Sequence, residues 1–302
     1  MRIFKWLIFT SLATTILPML QAEPRCPGNV ASLRLQMVER SLIVVPVMIN
    51  HTGPYDFLVD TGAQVTTVDP ALAAELSLRV EGTTGLVGVG YRIHPSFAHL
   101  EVLEAGEHGV ANPVVVVQNL EQLQAADPHI RGILGGNFLR HFDVLIDYVH
   151  GMLCLDDAKA MQAAVKGKRV ALARPSHSDG GVVLTEPLII PVHLSGVSRP
   201  VLQLLDSGTN FPILYDSVRE MAGGFYVHPL IHTRGPDGLD RVFAVLPPQD
   251  MEIGALAFHQ IPFLSPTNKE TPKVAVDGLL PTALFRSVYI SYADRFVVLE
   301  QW

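Results

Sequence analysis

Two stretches of the chain repeat the same order of apolar and polar positions. In the first, the largely apolar run Ile43–Asn50 precedes a turn and a second run, Tyr55–Ala63, which ends in Asp-Thr-Gly-Ala. In the other, Leu188–Ser195 precedes a turn and Val201–Thr209, which ends in Asp-Ser-Gly-Thr. Short apolar runs bounded by turn residues are typical of buried β-strands. Each stretch therefore predicts two strands joined by a turn, with an aspartate at the end of the second strand.

The repeat continues further along the chain. Arg131–Arg140 resembles Asp277–Arg286, and in each copy the first glycine of this segment lies 72 positions after the aspartate. Two more short apolar runs close each copy: Asp143–Tyr148 and Met152–Leu155 in the first, Val288–Tyr292 and Phe296–Leu299 in the second. A repeat of this length indicates two similar structural units.

Short helices are predicted between the strands. Asp69 is a favourable N-cap and Pro70 a favourable first residue for a helix that ends at Leu78. In the second copy, Asp216 is expected to cap a helix over Ser217–Ala222. The fold class predicted by these patterns is all-β with short helices.

The segment between the copies predicts the domain organisation. Asp156–Lys168 has a helix-like pattern of apolar residues, and Arg174–Gly181 is polar and rich in turn residues. We therefore predict an N-terminal lobe over residues 30–158, a linker over 159–181 and a C-terminal lobe over 182–302.

The composition supports a globular protein with many turns. Hydrophobic residues make up 48% of the chain and charged residues 17%, which excludes an intrinsically disordered protein, and there are 24 glycines and 22 prolines. The net charge is −7 with no basic stripe, so nucleic acid is not expected as a partner. The histidines and the two cysteines do not have the spacing of metal ligands, so no metal is expected.

The N-terminus has the pattern of a secretory signal peptide. Arg2 and Lys5 precede the apolar run Trp6–Leu20, and Ala22 is a small residue at the expected cleavage site. We predict that residues 1–22 are removed and that the mature chain is exported to the periplasm or the extracellular space. An uncleaved segment would instead anchor the chain in a membrane.

The two cysteines, Cys26 and Cys154, are candidates for a disulfide in an oxidising compartment. The sequence leaves their pairing open, because it does not show whether they meet.

Asp60 and Asp206 are the candidate catalytic residues. Two carboxyl groups that meet in a partly dry cleft share one proton, so that one takes a proton from water while the other donates to a carbonyl. Such a pair has to be held on rigid turns. The neighbouring Thr61, Gly62, Ser207 and Gly208 are the predicted active-site support: the hydroxyls tie the two turns together, and the glycines allow a close approach of backbone amides.

At these residues the chain resembles the pepsin/retropepsin-like superfamily of aspartic peptidases, in a bacterial-type single chain with two retropepsin-like repeats. Asp60–Ala63 resembles the retropepsin motif, Asp206–Thr209 resembles the pepsin variant, and Ile133–Gly135 resembles the hydrophobic-hydrophobic-glycine segment under the active-site turn. The resemblance implies a two-lobed acid-protease fold in which each lobe is a closed β-barrel with short helices. It also implies one catalytic aspartate from each lobe.

The resemblance further implies a flap hairpin over the cleft. Its tip is expected within Gly85–Tyr91, with Gly88, Gly90 and Tyr91 as flap residues. The implied activity is that of an aspartic endopeptidase with a polypeptide substrate and no cofactor. Because one chain carries both half-sites, a monomer is sufficient for a complete site.

Two positions depart from the family pattern, and two other classes of function stay open. Pro281 stands where the family has glycine, and Gly136 where retropepsins carry a basic residue. Pro281 leaves open a peptidase-like module that binds peptides without turnover. An uncleaved N-terminal segment would favour a structural protein of the cell envelope.

Overall fold

The computed structural model describes residues 25–39, 41–83, 86–88, 91–174, 186–222, 227–234, 240–267 and 276–302. The predicted signal peptide with its cleavage site at Ala22 lies outside the described residues, as does most of the turn-rich segment between the copies.

The first half of the chain is built from short strands and four short helices. Its strands are β1 Ser32–Arg34, β2 Gln36–Val38, β3 Leu42–Ile49, β4 Thr52–Val59, β5 Thr67–Val68, β6 Val80–Thr83, β7 Leu86–Gly88, β8 Tyr91–Ile93, β9 Ser96–His99, β10 Val102–Ala105, β11 His108–Ala111, β12 Val114–Val117, β13 Ile130–Leu134, β14 Asp143–Asp147, β15 Met152–Asp156 and β16 Arg169–Ala171. Its α-helices are α1 Pro70–Glu75, α2 Glu121–Ala126, α3 Gly136–Leu139 and α4 Ala160–Ala164, and a 3₁₀ turn covers Pro27–Asn29.

The second half has the same character. Its strands are β17 Ile189–Leu194, β18 Val201–Asp206, β19 Ile213–Leu214, β20 Val227–Arg234, β21 Asp240–Val245, β22 Gln249–Ile253, β23 Leu256–Ile261, β24 Leu264–Pro266, β25 Gly278–Pro281, β26 Ser287–Ser291 and β27 Phe296–Glu300. One α-helix, α5 Asp216–Arg219, and a 3₁₀ turn over Thr282–Leu284 complete this half among its described residues.

Each half forms one lobe around its own large sheet. The described strands of the first lobe follow the order β11-β10-β3-β4-β13-β5-β12-β9-β6, with β2 added beside β3. Those of the second lobe follow the order β20-β21-β24-β19-β25-β18-β17-β22-β23. The predicted all-β fold class with two lobes is therefore confirmed.

The two lobes repeat one pattern of strand pairing around the aspartates. In the first lobe β4 runs parallel to β13, and β13 runs antiparallel to β5. In the second lobe β18 runs parallel to β25, and β25 runs antiparallel to β19. The internal repeat read from the sequence is thus a repeat of topology.

A third sheet joins the lobes. It has the order β1-β15-β14-β26-β27-β16, so strands from the ends of both copies lie side by side. β14 and β26 form its centre and pair antiparallel over their full length. The largest buried apolar cluster likewise contains side chains of both lobes, among them Ile146 and Ile290 on these two central strands. The lobes are therefore held together by a continuous sheet and a shared core.

The two cysteines form a disulfide that ties the N-terminal segment to this sheet. Cys26 and Cys154 are bonded and buried, with Cys154 in β15. The structure therefore shows that the two cysteines pair, which the sequence left open.

The helices agree only partly with the predictions. Asp69 caps α1 by accepting hydrogen bonds from the amides of Ala71 and Leu72, as expected, although α1 ends at Glu75. The predicted cap at Asp216 is wrong, because α5 begins at that residue and Tyr215 occupies the N-cap position.

The predicted helix over Asp156–Lys168 is shortened to α4 at Ala160–Ala164. Asp156 is the last residue of β15, where it pairs with Asp143. Lys159 has a φ of 57°, in the left-handed region, so a helix can begin only after it. The predicted linker over 159–181 therefore contains both α4 and β16 among its described residues.

Among the helices of the described segments, none is long and apolar enough to cross a membrane.

Candidate active site

Asp60 and Asp206 occupy corresponding ends of two parallel strand pairs. Asp60 directly follows β4, and its amide donates to the carbonyl of Leu134 at the end of β13 over 3.0 Å. Asp206 is the last residue of β18 and lies in register with Pro281 of β25. Backbone pairing with a neighbouring parallel strand therefore fixes the position of each aspartate.

Reciprocal hydrogen bonds join the two aspartate turns across the lobes. The Thr61 hydroxyl donates to the carbonyl of Leu205 over 2.8 Å, and the Ser207 hydroxyl donates to the carbonyl of Val59 over 2.7 Å. Each hydroxyl oxygen also accepts the backbone amide of the other residue over 3.0 Å. Both side chains are buried, so these bonds are shielded from water and fix one turn against the other.

The glycines of the two motifs pack against the opposite carboxyl groups. A Cβ atom placed on Gly62 would lie 2.7 Å from Cγ of Asp206, and one placed on Gly208 would lie 2.6 Å from Cγ of Asp60. No side chain fits at such distances. Glycine is therefore required at both positions for the two carboxyl groups to meet.

Backbone amides bind the carboxyl groups unequally. Asp60 Oδ1 accepts the amides of Gly62 at 2.8 Å and Ala63 at 3.0 Å, whereas Asp206 Oδ1 accepts the amide of Gly208 at 2.7 Å. Amides that donate to a carboxylate stabilise its charged form. This difference favours the negative charge on Asp60.

The two carboxyl groups are hydrogen-bonded to each other and titrate as a pair. Burial raises the pKa of Asp60, and the amides of Ala63 and Gly62 oppose that rise. Burial and the negative charge of Asp60 raise the pKa of Asp206 well above its usual value. The pair therefore holds one proton, on Asp206, over the pH range in which Asp60 is ionised.

Two tyrosines lie near the aspartates, and the sequence reasoning missed both as site residues. Burial and the charge of Asp206 raise the pKa of Tyr148 to about 12, although a hydrogen bond with Thr282 opposes the rise. Burial and the charge of Asp60 raise the pKa of Tyr292. Each tyrosine is the last residue of an equivalent apolar run, Asp143–Tyr148 or Val288–Tyr292. This equivalence was the signal that could have identified them.

A side-chain network around Asn137 ties the turn that supports Asp60 to its neighbours. Asn137 Oδ1 accepts the amide and the hydroxyl of Thr66, both at 2.8 Å, and Asn137 Nδ2 donates to the carbonyl of Val114 over 2.7 Å. In the repeat, Ala283 stands in the place of Asn137. The sequence reasoning did not identify Asn137, and its amide at the start of a short helix was the only signal.

Pro281, one of the two residues that depart from the family pattern, is accommodated in a turn that differs from the turn at Gly135 in the first lobe. A Cβ on Gly135 would lie 2.6 Å from the backbone carbon of Val65, so only glycine fits there. Its counterpart Pro281 is buried with a φ of −62° and precedes the 3₁₀ turn at Thr282. The two supporting turns therefore differ in local structure while holding their aspartates in corresponding places.

The expected flap residues lie on a two-stranded hairpin. Gly88 of β7 and Tyr91 of β8 are paired in antiparallel register. Gly90 and the turn itself lie outside the described residues, as does the glycine-rich segment around Gly235 in the second copy.

No group of three or more histidine, cysteine or acidic side chains comes together as a metal site in the part of the chain that the structure describes.

Comparison with known proteins finds a family similarity for the first aspartate turn. The aspartyl protease family model matches residues 45–138, which include the first aspartate turn and its supporting segment. No curated protein matches the chain.

Solved structures with similarity to the chain include an aspartic proteinase that covers most of its length. The aspartic proteinase from Irpex lacteus is 12% identical, with 90% of this chain and 97% of that chain covered and a TM-score of 0.50. Basic 7S globulin from soybean is 11% identical, with 92% and 95% covered and a TM-score of 0.49. A retropepsin-like aspartic protease from Rickettsia conorii is 19% identical, with 42% of this chain and 90% of that chain covered and a TM-score of 0.32.

The chain therefore has a two-lobed all-β fold similar to that of the Irpex lacteus aspartic proteinase. With the family match over residues 45–138, the chain is similar to aspartic proteases in its fold and in its first aspartate turn.

Proposed function

We propose that the protein is an aspartic endopeptidase that hydrolyses peptide bonds with a water molecule activated by Asp60 and Asp206. The observation that carries this proposal is the mutual fit of the two turns. Each glycine packs against the carboxyl group of the opposite lobe, and the two carboxyl groups are hydrogen-bonded to each other. A pair of turn aspartates without a catalytic role does not require this arrangement.

The unequal environments assign the roles of the two aspartates. Asp60, which accepts two amides, is the carboxylate that takes a proton from the attacking water. Asp206, whose pKa is raised, is protonated and donates to the carbonyl oxygen of the peptide bond. Thr61, Gly62, Ser207 and Gly208 hold the pair in place and take no part in proton transfer.

The reaction then proceeds without a covalent enzyme intermediate. Water oxygen bonds to the carbonyl carbon, its proton moves to Asp60, and the proton of Asp206 moves to the carbonyl oxygen, which gives a neutral gem-diol. Asp60 next gives its proton to the amide nitrogen, and a hydroxyl of the diol returns a proton to Asp206 as the carbon–nitrogen bond breaks. The pair ends with the single proton it had at the start.

The substrate class proposed is an extended polypeptide segment. A strand-like segment in the cleft would hydrogen-bond to the backbone of the flap hairpin that contains Gly88 and Tyr91, which is the usual way in which extended peptides are recognised. Phe211 lies five residues after Asp206 and is 50% exposed, so it offers an apolar contact for a substrate side chain. One chain supplies both aspartates, and the chemistry proposed uses neither a metal nor a cofactor.

We also propose that the chain works outside the cytoplasm. The N-terminal pattern of residues 1–22 supports export, and the buried Cys26–Cys154 disulfide suits an oxidising compartment such as the periplasm or the extracellular space. N-terminal sequencing of the protein recovered from those compartments tests this proposal. A start at Glu23 supports cleavage, and retention of Trp6–Leu20 supports the alternative of a membrane anchor.

Digestion of an unfolded protein at acidic pH tests the proposed activity, with fragments identified by mass spectrometry. The wild-type chain should cut internal peptide bonds, and Asp60→Asn and Asp206→Asn should each remove the cutting while the fold is retained. Asp250→Asn, a surface carboxyl on the second lobe, is the matched control and should cut normally.

Binding measurements separate the two functions that the sequence left open. A wild-type chain that binds an unfolded polypeptide but releases it uncut overturns the peptidase proposal in favour of a binding module. Cutting that survives either aspartate substitution overturns the assignment of the site.

A further inference from the structure

Tyr148 and Tyr292 occupy equivalent positions of the two copies, and each lies near the aspartate of the other lobe. Tyr148 follows β14, and Tyr292 follows β26, the strand paired with β14. The charge of Asp206 acts on the hydroxyl of Tyr148, and the charge of Asp60 acts on the hydroxyl of Tyr292. The two tyrosines therefore form a second symmetric pair at the ends of the two central strands.

The two hydroxyl groups differ in their hydrogen bonding. The Tyr148 hydroxyl lies 2.6 Å from Oγ1 of Thr282, a fully buried residue. The Tyr292 hydroxyl is also buried, yet it has no hydrogen-bond partner among the described residues. A buried hydroxyl without a partner is costly and rare in folded proteins.

The repeat explains the difference. Thr282 follows the Gly-Leu-Leu-Pro segment of the second copy, and the corresponding residue of the first copy is Gly136, which has no side chain. Gly136 is part of the Asp60 turn, because its amide donates to the carbonyl of Ala63 over 2.8 Å and the amide of Ala63 donates to Asp60. The partner that Tyr148 finds in Thr282 is thus missing for Tyr292 on the side where Asp60 lies.

We propose that Tyr292 is a positioning residue for Asp60, and that its hydroxyl binds a water molecule which donates a hydrogen bond to the Asp60 carboxylate. A buried water can satisfy a buried hydroxyl that lacks a protein partner, and here it would take the place of the threonine hydroxyl of the second lobe. The inference rests on the proposed function, since it adds the reason why Asp60 and not Asp206 carries the charge of the pair.

The proposed water and the backbone amides change the pKa of Asp60 in the same direction, since both stabilise its charged form. Asp60 accepts two backbone amides and Asp206 accepts one, so a further donor on the side of Asp60 widens an existing difference. Tyr148 does not act in this way on Asp206, because its hydroxyl is engaged with Thr282.

Charged groups on the surrounding elements have partners elsewhere. On β14, Asp143 accepts from Tyr289 and Ser291, and Asp147 contacts His150. Around the end of β26 and on β27, the pairs are Asp294 with Lys159 and Gln162, Arg295 with Glu186, and Arg286 with Glu300. Asp60 is therefore the charged group on which the Tyr292 hydroxyl is expected to act.

A double-mutant cycle between Tyr292→Phe and Asp60→Asn tests the proposal without depending on activity. The free energy of unfolding is measured for wild type, both single variants and the double variant between about pH 3 and pH 7. A hydrogen-bond donor to Asp60 makes the folded pKa of that carboxyl lower in wild type than in Tyr292→Phe. Its stabilising contribution is therefore present at the higher pH and is lost as the pH falls through the folded pKa of Asp60.

The expected result is a destabilisation by Tyr292→Phe that grows as the pH rises and that disappears in the Asp60→Asn background. Tyr148→Phe is the matched control, and its effect should not depend on Asp60 at any pH. An effect of Tyr292→Phe that is the same at every pH, or the same with and without Asp60, overturns the inference, because a purely structural role predicts that outcome.

In an active enzyme the same variant should shift the acidic limb of the kcat/KM profile to higher pH by about one unit, the scale of one lost hydrogen bond to a charged group. A wild-type chain without activity contradicts the proposed function, whereas an active chain with an unmoved acidic limb in Tyr292→Phe contradicts this inference alone.

Discussion

Leu145 and Tyr289 face each other in register across the central strands β14 and β26, and they are also equivalent residues of the two repeat copies. An antiparallel pair in which equivalent residues oppose each other has a twofold axis between them. The approximate twofold axis of the molecule therefore passes between Leu145 and Tyr289. The reciprocal contacts of Gly62 with Asp206 and of Gly208 with Asp60 have the same symmetry. The same approximate twofold symmetry therefore relates the strands that join the lobes and the contacts that form the site.

The glycines of the aspartate turns should tolerate no side chain. Gly62→Ala or Gly208→Ala would place a methyl group within 3 Å of the opposite carboxyl carbon and push the pair apart. We expect kcat/KM to fall by about 100-fold or more, since catalysis is sensitive to displacements of about 1 Å. Gly109→Ala, where the nearest atom would be 3.4 Å away, is the control and should retain activity. Normal activity of Gly62→Ala would show that the observed approach of the turns is not needed.

The hydroxyls of Thr61 and Ser207 should contribute to stability as a coupled pair. Thr61→Val and Ser207→Ala each leave a buried carbonyl and a buried amide without a partner, so each should lower the free energy of unfolding by about 1–3 kcal/mol. The double variant should cost less than the sum of the two, as measured by urea unfolding. Thr209→Val removes an exposed hydroxyl bond and should change stability by no more than about 0.5 kcal/mol. Additive effects would mean that the two turns are not coupled.

The raised pKa of Asp206 should appear in the pH dependence of stability. Because its folded pKa lies above the unfolded value, the stabilisation from protonated Asp206 is fully present below the unfolded pKa and is lost as the pH rises through the folded pKa. Asparagine resembles the protonated side chain. Asp206→Asn should therefore match wild type in acid and become more stable than wild type as the pH rises.

Asp250 provides a contrast of opposite sign in the same unfolding experiment. The amide of Gln260 lowers the pKa of Asp250, so Asp250→Asn should lose stability relative to wild type as the pH rises. An Asp206→Asn variant that falls below wild type at neutral pH would show that Asp206 is stabilised in its charged form, contrary to the structure.

The disulfide should stabilise the fold strongly. Cys26 and Cys154 are 128 residues apart, and closing a loop of that order restricts the unfolded chain by about 4–5 kcal/mol in the chain-entropy model. The Cys26→Ala/Cys154→Ala double variant should lose stability of that order in denaturant unfolding. Adding a reductant should then leave the stability of the double variant unchanged. A double variant as stable as wild type would indicate that the N-terminal segment docks without the bond.

The sequence was sufficient for the features that recur in both copies. The strands around the aspartates, the supporting glycine segments and the closing strand pairs were predictable because each is a short local pattern, and its recurrence at equal spacing strengthened the interpretation. Asp60, Asp206 and their neighbours were predicted as candidate site residues in the same way, and the structure brings the two turns together.

Features that depend on long-range contacts or on differences between the copies were not predictable. The disulfide joins residues far apart in the chain, and β16 pairs with β27 from a segment that the sequence assigned to a linker. Asp143 is a polar residue at the end of β14, and the structure shows that it is buried and accepts hydrogen bonds from Tyr289 and Ser291. Burial of a polar group is decided by its partners across the sheet, which a local pattern does not contain.

The pH dependence of kcat/KM for cleavage of one peptide shows whether Asp60 and Asp206 share one proton, because such a pair is active only in its singly protonated state. We expect a bell-shaped profile with its maximum in acid, whose two flanks belong to the pair formed by Asp60 and Asp206. Asp250→Asn should reproduce the bell. A rate that depends on a single ionisation, or one that reaches its maximum at neutral or alkaline pH, would contradict the shared proton and with it the proposed mechanism.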